Sequence, residues 1–486
     1  MAVGTAAADA RSVIAADLAR LQRAGAVTVA GEQICAERSV LAFYKRRQNE
    51  PAWDEASIAS LLRAIRRSTD DGLNPGDYHL AAIESLPPGG ERDLLASDAF
   101  LLLGLHLTQG RVDPVSLIPQ WCIPPRRIDL AAGLQTALDA HDVEGMIDEL
   151  APHHPAYRRL REALALYRQI EASGGWPPVS PGIAMRLGDR GPRVIELRRR
   201  LAREPSAVPD LFDDDLEAAV KDFQAHHGLT ADGIAGAATL RELNVSAGAR
   251  IRQIEVNMER WRWMPENLGD SYALVNIAGF RLGLFENERS VMTMKTIVGK
   301  NFWETPFFPA KITEIILNPS WYVPENIADG ELRPKQRRDS SYYAREHIQV
   351  MPGGSLRQLP GPWNSLGRIK FNMPNRFSVY LHDTPAKQLF SMQTRTFSHG
   401  CIRIERPLDL AVYLLRGDPE WNAEKLQTAI DAGVECTIRL KTPEPVYVLY
   451  WTAWAAEDGH IEFHRDVYNR DAALERALRS SSAMQH

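Results

Sequence analysis

The chain has 486 residues, which is enough for two to four domains of about 100–200 residues each. Apolar residues make up 44% and charged residues 24%, and this balance excludes a disordered, collagen-like or fibrous protein. The formal net charge of −5 is small for the length, and no apolar run approaches the about 18–20 residues of a membrane helix. We therefore expect a soluble multidomain protein with no transmembrane segment in this chain and no nucleic acid among its partners.

The first part of the chain, from about residue 10 to residue 175, has the apolar spacing of helices. Ile14, Leu18 and Leu21 fall on one helical face, and a turn cluster rich in Asp and Gly lies at 70–77. No group of side chains in this region has the pattern of a catalytic site. The sequence here predicts a helical scaffold.

A linker rich in Gly and Pro precedes a compact module that begins near residue 183. Two sets of apolar residues at helical spacing predict helices in this module: Val194, Leu197 and Leu201, and Leu216, Val220 and Phe223. A short third helix is expected around Leu240, and glycines stand at the helix ends, where a positive φ is needed. The pattern indicates a small three-helix domain.

From Tyr272 onward, runs of β-branched and aromatic residues predict a mostly-β domain. A segment dense in charge, Pro and Gly, residues 320–373, interrupts these strands, and its middle, 331–339, is strongly basic. Long insertions of this kind act as lids or binding loops more often than as passive connections, although a solvated surface insertion is the alternative. The predicted fold class is multidomain α+β.

The residues that carry chemistry lie near the end of this domain, at His382 and at Ser398–Cys401. A thiol with a pKa near about 8.5 is a poor nucleophile at neutral pH until an imidazole takes its proton. Cys401 with a histidine is therefore the minimal set for acyl transfer through a thioester. Gly400 permits a tight turn in which backbone N–H groups face an oxyanion.

Other interpretations of the same residues are open at this point. A single cysteine is most often a small buried apolar residue, and His399 could be a polar turn residue. Cys401, His382 and His399 could be three zinc ligands, but no further acidic or thiol partner has convincing spacing. We expect no metal.

The spacing and the flanking residues resemble a known family. His382, fifteen intervening residues and Ser398-His399-Gly400-Cys401 match the signature of the L,D-transpeptidase (YkuD-type) catalytic domain. Leu366–Phe371 and Tyr380–Pro385 resemble the large Gram-negative members, and the regions before them resemble that subfamily's scaffold domain and the peptidoglycan-binding type 1 domain. An unrelated three-helix domain is the alternative for the latter. Arg403 stands where many shorter members carry Asn, but the larger members share it.

The resemblance implies four regions along the chain. They are a helical scaffold domain at 10–175, a small three-helix peptidoglycan-binding type 1-like domain at 183–246, a mostly-β catalytic domain at 268–442 with an inserted lid at about 320–373, and a C-terminal extension at 443–486 that returns to the scaffold.

The resemblance also implies roles for single residues. Cys401 is the expected nucleophile and His382 its general base and later proton donor, with His399 as base the alternative. The backbone N–H groups of Gly400 and Cys401 are expected to face the oxyanion. The further candidates are Ser398 and His399 as residues that shape the pocket, Arg403 as a buttress of the turn or the partner of a substrate carboxylate, and Tyr380 and Trp321 as substrate-binding residues.

The function implied is a peptidoglycan L,D-transpeptidase that needs no metal or organic cofactor. Its expected partners are peptidoglycan stem peptides as donor and acceptor, carbapenem inhibitors and other cell-wall synthases. An L,D-carboxypeptidase and a non-catalytic wall-binding protein are the alternatives. The expected location is periplasmic, yet the N-terminus has neither the basic nor the apolar part of a secretory signal, as in a recombinant chain whose leader was removed.

The other cysteines, Cys35, Cys122 and Cys436, have no reactive neighbours in sequence. We expect all three to be buried and structural. A bridge between Cys35 and Cys122 stays open, because spacing alone cannot establish it.

Overall fold

The computed structural model describes residues 2–203 and 206–480 of the chain, which form two compact units. The helical unit holds the chain up to Asn267, Thr452–His464 and the residues from Asn469 onward, and the sheet unit holds Leu268–Trp451 and Arg465–Tyr468. None of the described helices has both the length and the apolar character needed to cross a membrane.

The helical unit contains most of the α-helices of the chain. These are α1 (Ala2–Ala24), α2 (Glu37–Arg46), α3 (Glu55–Arg67), α4 (Leu80–Ser85), α5 (Gly90–Gln109), α6 (Pro114–Leu117), α7 (Leu130–Asp139), α8 (Val143–Leu150), α9 (Pro155–Ala172), α10 (Pro192–Arg200), α11 (Asp214–His226), α12 (Ala237–Leu243) and α13 (Ala247–Arg262). Two short strands, β1 (Thr28–Val29) and β2 (Glu32–Gln33), pair between α1 and α2. The returning C-terminal segments add a hairpin of Ala453–Ala455 with Ile461–Phe463 and a helix, Asp471–Arg479.

Helix α5 is buried along most of its length because it is apolar on nearly all sides. Two carboxylates on it are also buried, and both accept hydrogen bonds from backbone amides of other segments. Asp93 accepts from Trp53 N at 3.0 Å, and Asp98 accepts from Ala36 N at 2.7 Å. These bonds compensate the desolvation of the carboxylates. The first predicted region is helical, as expected.

Helices α10, α11 and α12 surround a separate apolar core. Its members include both predicted sets of apolar residues, together with residues of the connecting turns: Val194, Leu197, Phe212, Leu216, Val220, Phe223, Leu240 and Leu243 are buried, and Leu201 is packed against them. The three-helix prediction for this module is therefore confirmed.

The sheet unit is organised around one nine-stranded sheet with the order β12-β5-β13-β11-β10-β6-β14-β3-β4. Its strands are β3 (Ser271–Asn276), β4 (Arg281–Glu286), β5 (Arg289–Gly299), β6 (Phe308–Leu317), β10 (Ile369–Asn372), β11 (Leu381–His382), β12 (Thr396–Ser398), β13 (Ile402–Ile404) and β14 (Cys436–Leu449), while β7 to β9 belong to the insertion described below. The long strand β5 pairs with β4 over its first half and with β13 near its end, which joins the two ends of the sheet.

Strand β14 is one continuous strand that passes residue 442, where we expected the catalytic domain to end. Its last residues, Val446–Leu449, pair in parallel with β3 inside the main sheet. The sheet unit therefore continues beyond the expected boundary, because these backbone groups complete a ladder that the sheet would otherwise leave open.

The insertion between β6 and β10 is a small folded subdomain, which we call the lid. It has its own three-stranded sheet, β7 (Trp321–Tyr322), β8 (Ile348–Val350) and β9 (Leu356–Gln358), and three short helices, α14 (Glu325–Ile327), α15 (Arg333–Arg338) and α16 (Tyr342–Arg345). Its core members are Val323, Ile327, Ala328, Leu332, Ile348 and Leu356. The expected end at residue 373 is too late, because β10 already belongs to the main sheet. Two helices, α17 (Pro407–Leu414) and α18 (Ala423–Asp431), follow the main strands.

Candidate active site

Three neighbouring strands of the main sheet bring three chemically active side chains to one position. Lys370 on β10 lies opposite His382 on β11, and His382 lies opposite Arg403 on β13. Residues directly opposite in a sheet point to the same face, so these three form one line of side chains. We call Lys370, His382 and Arg403 the cross-strand row. The neighbouring positions Phe371 and Leu381 point the other way and are fully buried.

Cys401 directly precedes β13 and lies two residues before Arg403 of the cross-strand row. Its carbonyl-side neighbour Ile402 donates from N to the Tyr380 carbonyl at 3.1 Å, which places Tyr380 and Cys401 side by side at the entries of β11 and β13. Gly400 has a φ of +110°, a conformation that side chains disfavour, so the turn requires glycine. Thr305 secures this turn, because its Oγ1 donates to the Gly400 carbonyl at 2.8 Å.

The Cys401 thiol is partly exposed and protonated in this environment. Its Sγ lies 3.9 Å from the Ser378 carbonyl oxygen, to which it can donate. Burial raises the pKa of the thiol, although hydrogen bonding from Tyr380 and the charges of Lys370 and Arg403 oppose the increase. The thiol therefore needs a base before it can act as a nucleophile.

His382 is buried and has the properties of such a base. Its Nδ1 lies 2.6 Å from the Asp383 carbonyl oxygen, which can only accept, so Nδ1 carries the proton and Nε2 keeps its lone pair. Burial, together with the charges of Arg403 and Lys370, lowers the pKa of His382 to about 3. The imidazole is therefore neutral at physiological pH.

His399 has a different environment from His382, because it contacts a residue of the lid. Its Nε2 donates to Glu331 Oε1 at 2.7 Å, and its ring meets the Trp303 ring edge-on at 5.4 Å between centroids. Burial raises the pKa of Glu331, but the hydrogen bond and charge of His399 and the charges of Lys300 and Lys335 lower it by more. The pKa of Glu331 is therefore below its usual value. One ring nitrogen of His399 is thus already bonded to the lid.

The Ser398 hydroxyl is bonded within the same turn. Its Oγ accepts from Gly400 N at 3.1 Å. Of the two amides expected at the oxyanion, that of Gly400 is therefore engaged by a side chain in this structure. The Cys401 amide is the other candidate donor to an oxyanion.

Tyr380 lies beside Cys401, and Trp321 contacts Tyr380. Tyr380 meets His382 edge-on at 5.6 Å, and the Lys370 ammonium lies 4.1 Å from the centre of the Tyr380 ring. Burial raises the pKa of the Tyr380 hydroxyl, the nearby Cys401 adds to the increase, and a hydrogen bond from Trp321 partly opposes it. The phenol stays protonated and can donate to sulfur. Trp321 belongs to β7, so the lid reaches this cluster as well.

Two residues of the site were missed by the sequence analysis. Lys370 lies in a segment noted only for its family resemblance, and its place beside His382 depends on strand register. Glu331 begins the basic stretch 331–339, where its negative charge is masked by the cations around it. No local pattern pairs it with a histidine that is 68 residues away.

Within residues 2–203 and 206–480, the ligand atoms of Cys401, His382 and His399 do not form a close group of metal-ligand type. Among the described residues, a group of metal-ligand type occurs elsewhere, in the helical unit. There the ligand atoms of His226, Asp458 and His460 all lie within 4.8 Å of one another.

The remaining cysteines differ from the expectation in their burial. Cys122 is exposed, and Cys35 and Cys436 are only partly buried, so the prediction that all three are buried is wrong. Cys122 lies in a stretch without regular secondary structure after α6, where no strand or helix covers it. All four cysteines are free thiols, and Cys35 and Cys122 form no bridge.

Comparison with known protein families agrees with this architecture. Residues 270–421 match the family model described as "L,D-transpeptidase catalytic domain", and this range includes the whole cross-strand row and Cys401. The chain carries an L,D-transpeptidase domain. Residues 38–164 match the model "Scaffold domain", and residues 190–243 match "Putative peptidoglycan binding domain". The resemblance inferred from the sequence is confirmed, as is the α+β fold class.

Individual relatives cover parts of the chain. A protein of Haemophilus influenzae named "Putative L,D-transpeptidase" is 27% identical over 256 residues, which are 49% of this chain and 50% of that protein. The chain thus spans about half the length of this curated relative. Solved structures similar to the L,D-transpeptidase domain include an L,D-transpeptidase from Stackebrandtia nassauensis (13% identity, 56% of this chain and 96% of that one, TM-score 0.23). Another is the LD transpeptidase LdtMt1 in complex with imipenem. It is 14% identical and covers 37% of this chain and 59% of that one, with a TM-score of 0.19.

Proposed function

We propose that this protein is a peptidoglycan L,D-transpeptidase in which Cys401 is the nucleophile and His382 the base. The observation that carries the proposal is the pairing of β11 with β13, which brings His382 and the Cys401 turn together inside an L,D-transpeptidase domain. A second observation supports the choice of base. The charges of Lys370 and Arg403 act on both His382 and Cys401, whereas His399 is bonded to Glu331 of the lid.

The first half-reaction forms a thioester. His382 Nε2 takes the thiol proton, and Cys401 Sγ attacks the carbonyl carbon of the third stem residue, an L-centre of a diamino acid. The oxyanion accepts a hydrogen bond from the Cys401 amide. The C–N bond to D-alanine then breaks, and His382 returns its proton to the departing amine.

The second half-reaction transfers the acyl group to an amine. The side-chain amine of another stem's third residue gives a proton to His382 and attacks the thioester carbon, so that a C–N bond replaces the C–S bond. The thiol then recovers its proton and the product is a 3→3 cross-link. Water in place of the amine would give an L,D-carboxypeptidase, which is the second candidate.

The lid is proposed to cover the donor and keep water from the thioester. Its contacts with the site support this role, because Glu331 bonds His399 and Trp321 reaches Tyr380. Replacing the lid between Trp321 and Gln358 with a short linker should shift the products from cross-link toward hydrolysed tripeptide. Product ratios equal to those of the full chain would show that the lid does not exclude water.

The other regions suggest where the enzyme acts. The peptidoglycan-binding module at 190–243 supports a location in the cell wall or periplasm, and we propose that it holds the protein there. Carbapenems are proposed to acylate Cys401, since a related L,D-transpeptidase structure is a complex with imipenem. Other cell-wall synthases are proposed as partners on the family resemblance alone.

Intact-protein mass spectrometry with purified disaccharide-tetrapeptide tests the proposed function. We expect a covalent adduct on Cys401, release of D-alanine and a cross-linked dimer as product. Cys401→Ala should abolish all three, whereas Cys436→Ala, which removes a partly buried thiol of the same unit, should preserve them.

Two other outcomes would change the assignment. The same adduct with tripeptide as the sole product would identify the carboxypeptidase. A full chain that binds peptidoglycan but neither forms the adduct nor releases D-alanine would identify a wall-binding protein.

A further inference from the structure

Three side chains of metal-ligand type meet at the C-terminal end of helix α11, and we call them the two-histidine cluster. His226 is the last residue of α11, whereas Asp458 and His460 lie in the turn of the C-terminal hairpin. One ligand atom of each residue lies within 4.8 Å of those of the other two. The helical unit thus gathers two imidazoles and a carboxylate from segments that are far apart in sequence.

The spacing inside the cluster is close to that of ligands around one metal ion. His460 Nδ1 lies 3.4 Å from Asp458 Oδ1. Two ligands that bind a tetrahedral zinc ion at about 2.0–2.1 Å lie about 3.3 Å from each other. The rings of His226 and His460 are nearly parallel, with 4.6 Å between their centroids. A side-chain movement of roughly 1.5 Å would therefore bring the third ligand to the same spacing.

Hydrogen bonding and packing hold both segments of the cluster in place. In the hairpin turn, His460 N donates to Asp458 Oδ1 at 3.1 Å, which fixes the carboxylate against its own backbone. Beside the turn, the His227 ring stacks on Phe223 of α11 at 3.8 Å and lies 5.6 Å from the Phe463 ring of the hairpin. Ligands on a supported backbone need little reorganisation to bind an ion.

Asp222 gives His226 the outer support that metal-bound histidines commonly have. Its Oδ1 lies 3.6 Å from His226 Nδ1, one helical turn earlier on α11. Histidine ligands usually donate their second ring N–H to a carboxylate or a carbonyl, which fixes the tautomer and the orientation of the ring. With Nδ1 of His226 directed at Asp222, Nε2 is the nitrogen that a metal would use.

We propose that His226, Asp458 and His460 bind a divalent transition-metal ion, with Zn²⁺ as the ion that suits them best. Two imidazoles and a carboxylate are typical ligands of Zn²⁺, whereas Mg²⁺ and Ca²⁺ prefer a shell of oxygen atoms. Three protein ligands leave a fourth position for water, and both imidazoles line an open cavity beside α9. The ion would fasten the hairpin to the peptidoglycan-binding module at 190–243, which includes α11.

This site is independent of the acyl-transfer chemistry. The cluster belongs to the helical unit and Cys401 belongs to the sheet unit, so failure of the proposed function would leave the metal site standing, and the reverse. A different role for the cluster is a network of ion pairs that contains no metal. In that case, substitutions would affect the hairpin equally with and without zinc.

The test measures the zinc bound to the full chain after equilibrium dialysis against micromolar free Zn²⁺. We expect His226→Gln and His460→Gln each to bind one ion fewer than the wild type. Asp458→Asn should weaken binding by at least about tenfold, since even loss of an outer-shell partner costs about 10–100-fold. Zinc held by thiols cancels in these differences, because every variant keeps all four cysteines.

A matched control is available in the same unit. His141→Gln removes an exposed histidine whose Nδ1 lies 4.0 Å from Asp54, a pair that is not part of the cluster. This variant should bind as much zinc as the wild type. Circular dichroism without zinc shows whether each variant is folded.

Hydrogen exchange locates the bound ion. Zn²⁺ should slow exchange by about threefold or more in wild-type peptides that cover 222–229 and 456–462, and it should change neither segment in His460→Gln. The wild-type comparison needs no substitution, so it decides the question even where a variant does not fold.

Equal zinc content in the wild type and in both glutamine variants would overturn the proposal. So would exchange in 222–229 and 456–462 that does not respond to zinc in the wild type. If the substitutions alter exchange in the hairpin but zinc does not, the cluster is an ion-pair network and the metal site is excluded.

Discussion

Buried cations occur in both units of this protein, but their surroundings differ. In the helical unit, Arg262 is 2% exposed and donates to Glu259 at 2.5 Å, to the Tyr157 hydroxyl at 3.3 Å and to the Asp71 carbonyl. Burial lowers the pKa of Arg262, but Tyr157, Glu259 and Asp71 raise it by more. In the cross-strand row, burial lowers the pKa of Arg403 and only Cys401 opposes the decrease.

This difference separates a structural charge from a charge available to a ligand. The Arg262 network is closed, since Glu259 also accepts from the Arg111 and Val112 amides at 2.5 and 2.7 Å. Lys370 and Arg403, by contrast, have no ion-pair partner in the part of the chain that the structure describes, and the Nε of Arg403 has no hydrogen-bond partner there. Desolvated groups without partners cost stability, and proteins tolerate such costs mainly where a ligand or a reaction uses the group.

The largest effect on the acylation rate is expected for loss of His382, the proposed base in the cross-strand row. His382→Ala should slow acylation of Cys401 by the tetrapeptide donor by roughly 10²–10⁴-fold, because general base catalysis is lost. His399→Ala should slow it by less than about tenfold, since that imidazole serves the contact with Glu331. Single-turnover mass spectrometry measures both rates. A larger effect at His399 would make it the base.

A matched pair of arginine variants tests the comparison directly. Arg262→Met leaves Glu259 buried without its partner and should cost about 3–5 kcal/mol of unfolding free energy. Arg403→Met removes a cation that forms no ion pair with any described residue and should cost less than about 1 kcal/mol. Urea unfolding of the full chain measures both. Equal losses would show that Arg403 is as much a structural charge as Arg262.

The buried imidazole makes the stability of the fold depend on pH. The pKa of His382 is lowered from 6.5 to about 3 in the folded protein. The unfolded chain binds this proton below about pH 6.5 and the folded chain does not, so the stabilisation is complete above that pH and is lost as the pH falls toward 3. Unfolding free energies at pH 7 and pH 5 should differ more for the wild type than for His382→Ala. An equal pH dependence in the two proteins would contradict the lowered pKa.

The smallest effect is expected at the contact between lid and site. Glu331→Ala removes the acceptor of His399, and because the pair is partly exposed its loss should cost less than about 1 kcal/mol. Hydrogen exchange in the lid should become faster, which mass spectrometry of peptides from 323–358 would detect. Glu346→Ala, which removes a lid carboxylate of similar partial exposure 3.8 Å from Arg345, is the control. Unchanged exchange in Glu331→Ala would show that this contact does not hold the lid.

Much of the architecture was predictable from local patterns. The apolar spacing of Val194, Leu197 and Leu216 identified the small three-helix module, and all three side chains are buried in its core. The boundaries were less predictable. The lid ends before β10 and β14 passes residue 442, because strand ends are set by pairing partners that are distant in sequence.

The sequence by itself determined the chemistry available to this protein. A cysteine after glycine and two histidines at family spacing are properties of residue type and order, and they identified the L,D-transpeptidase domain. Only the tertiary structure decided what each histidine contacts, since the bond from His399 to Glu331 joins residues on separate segments. The tertiary structure also decided that Lys370 and Arg403 flank His382. Strand register depends on how the strands pair in the folded sheet, and the sequence of a single strand does not reveal it.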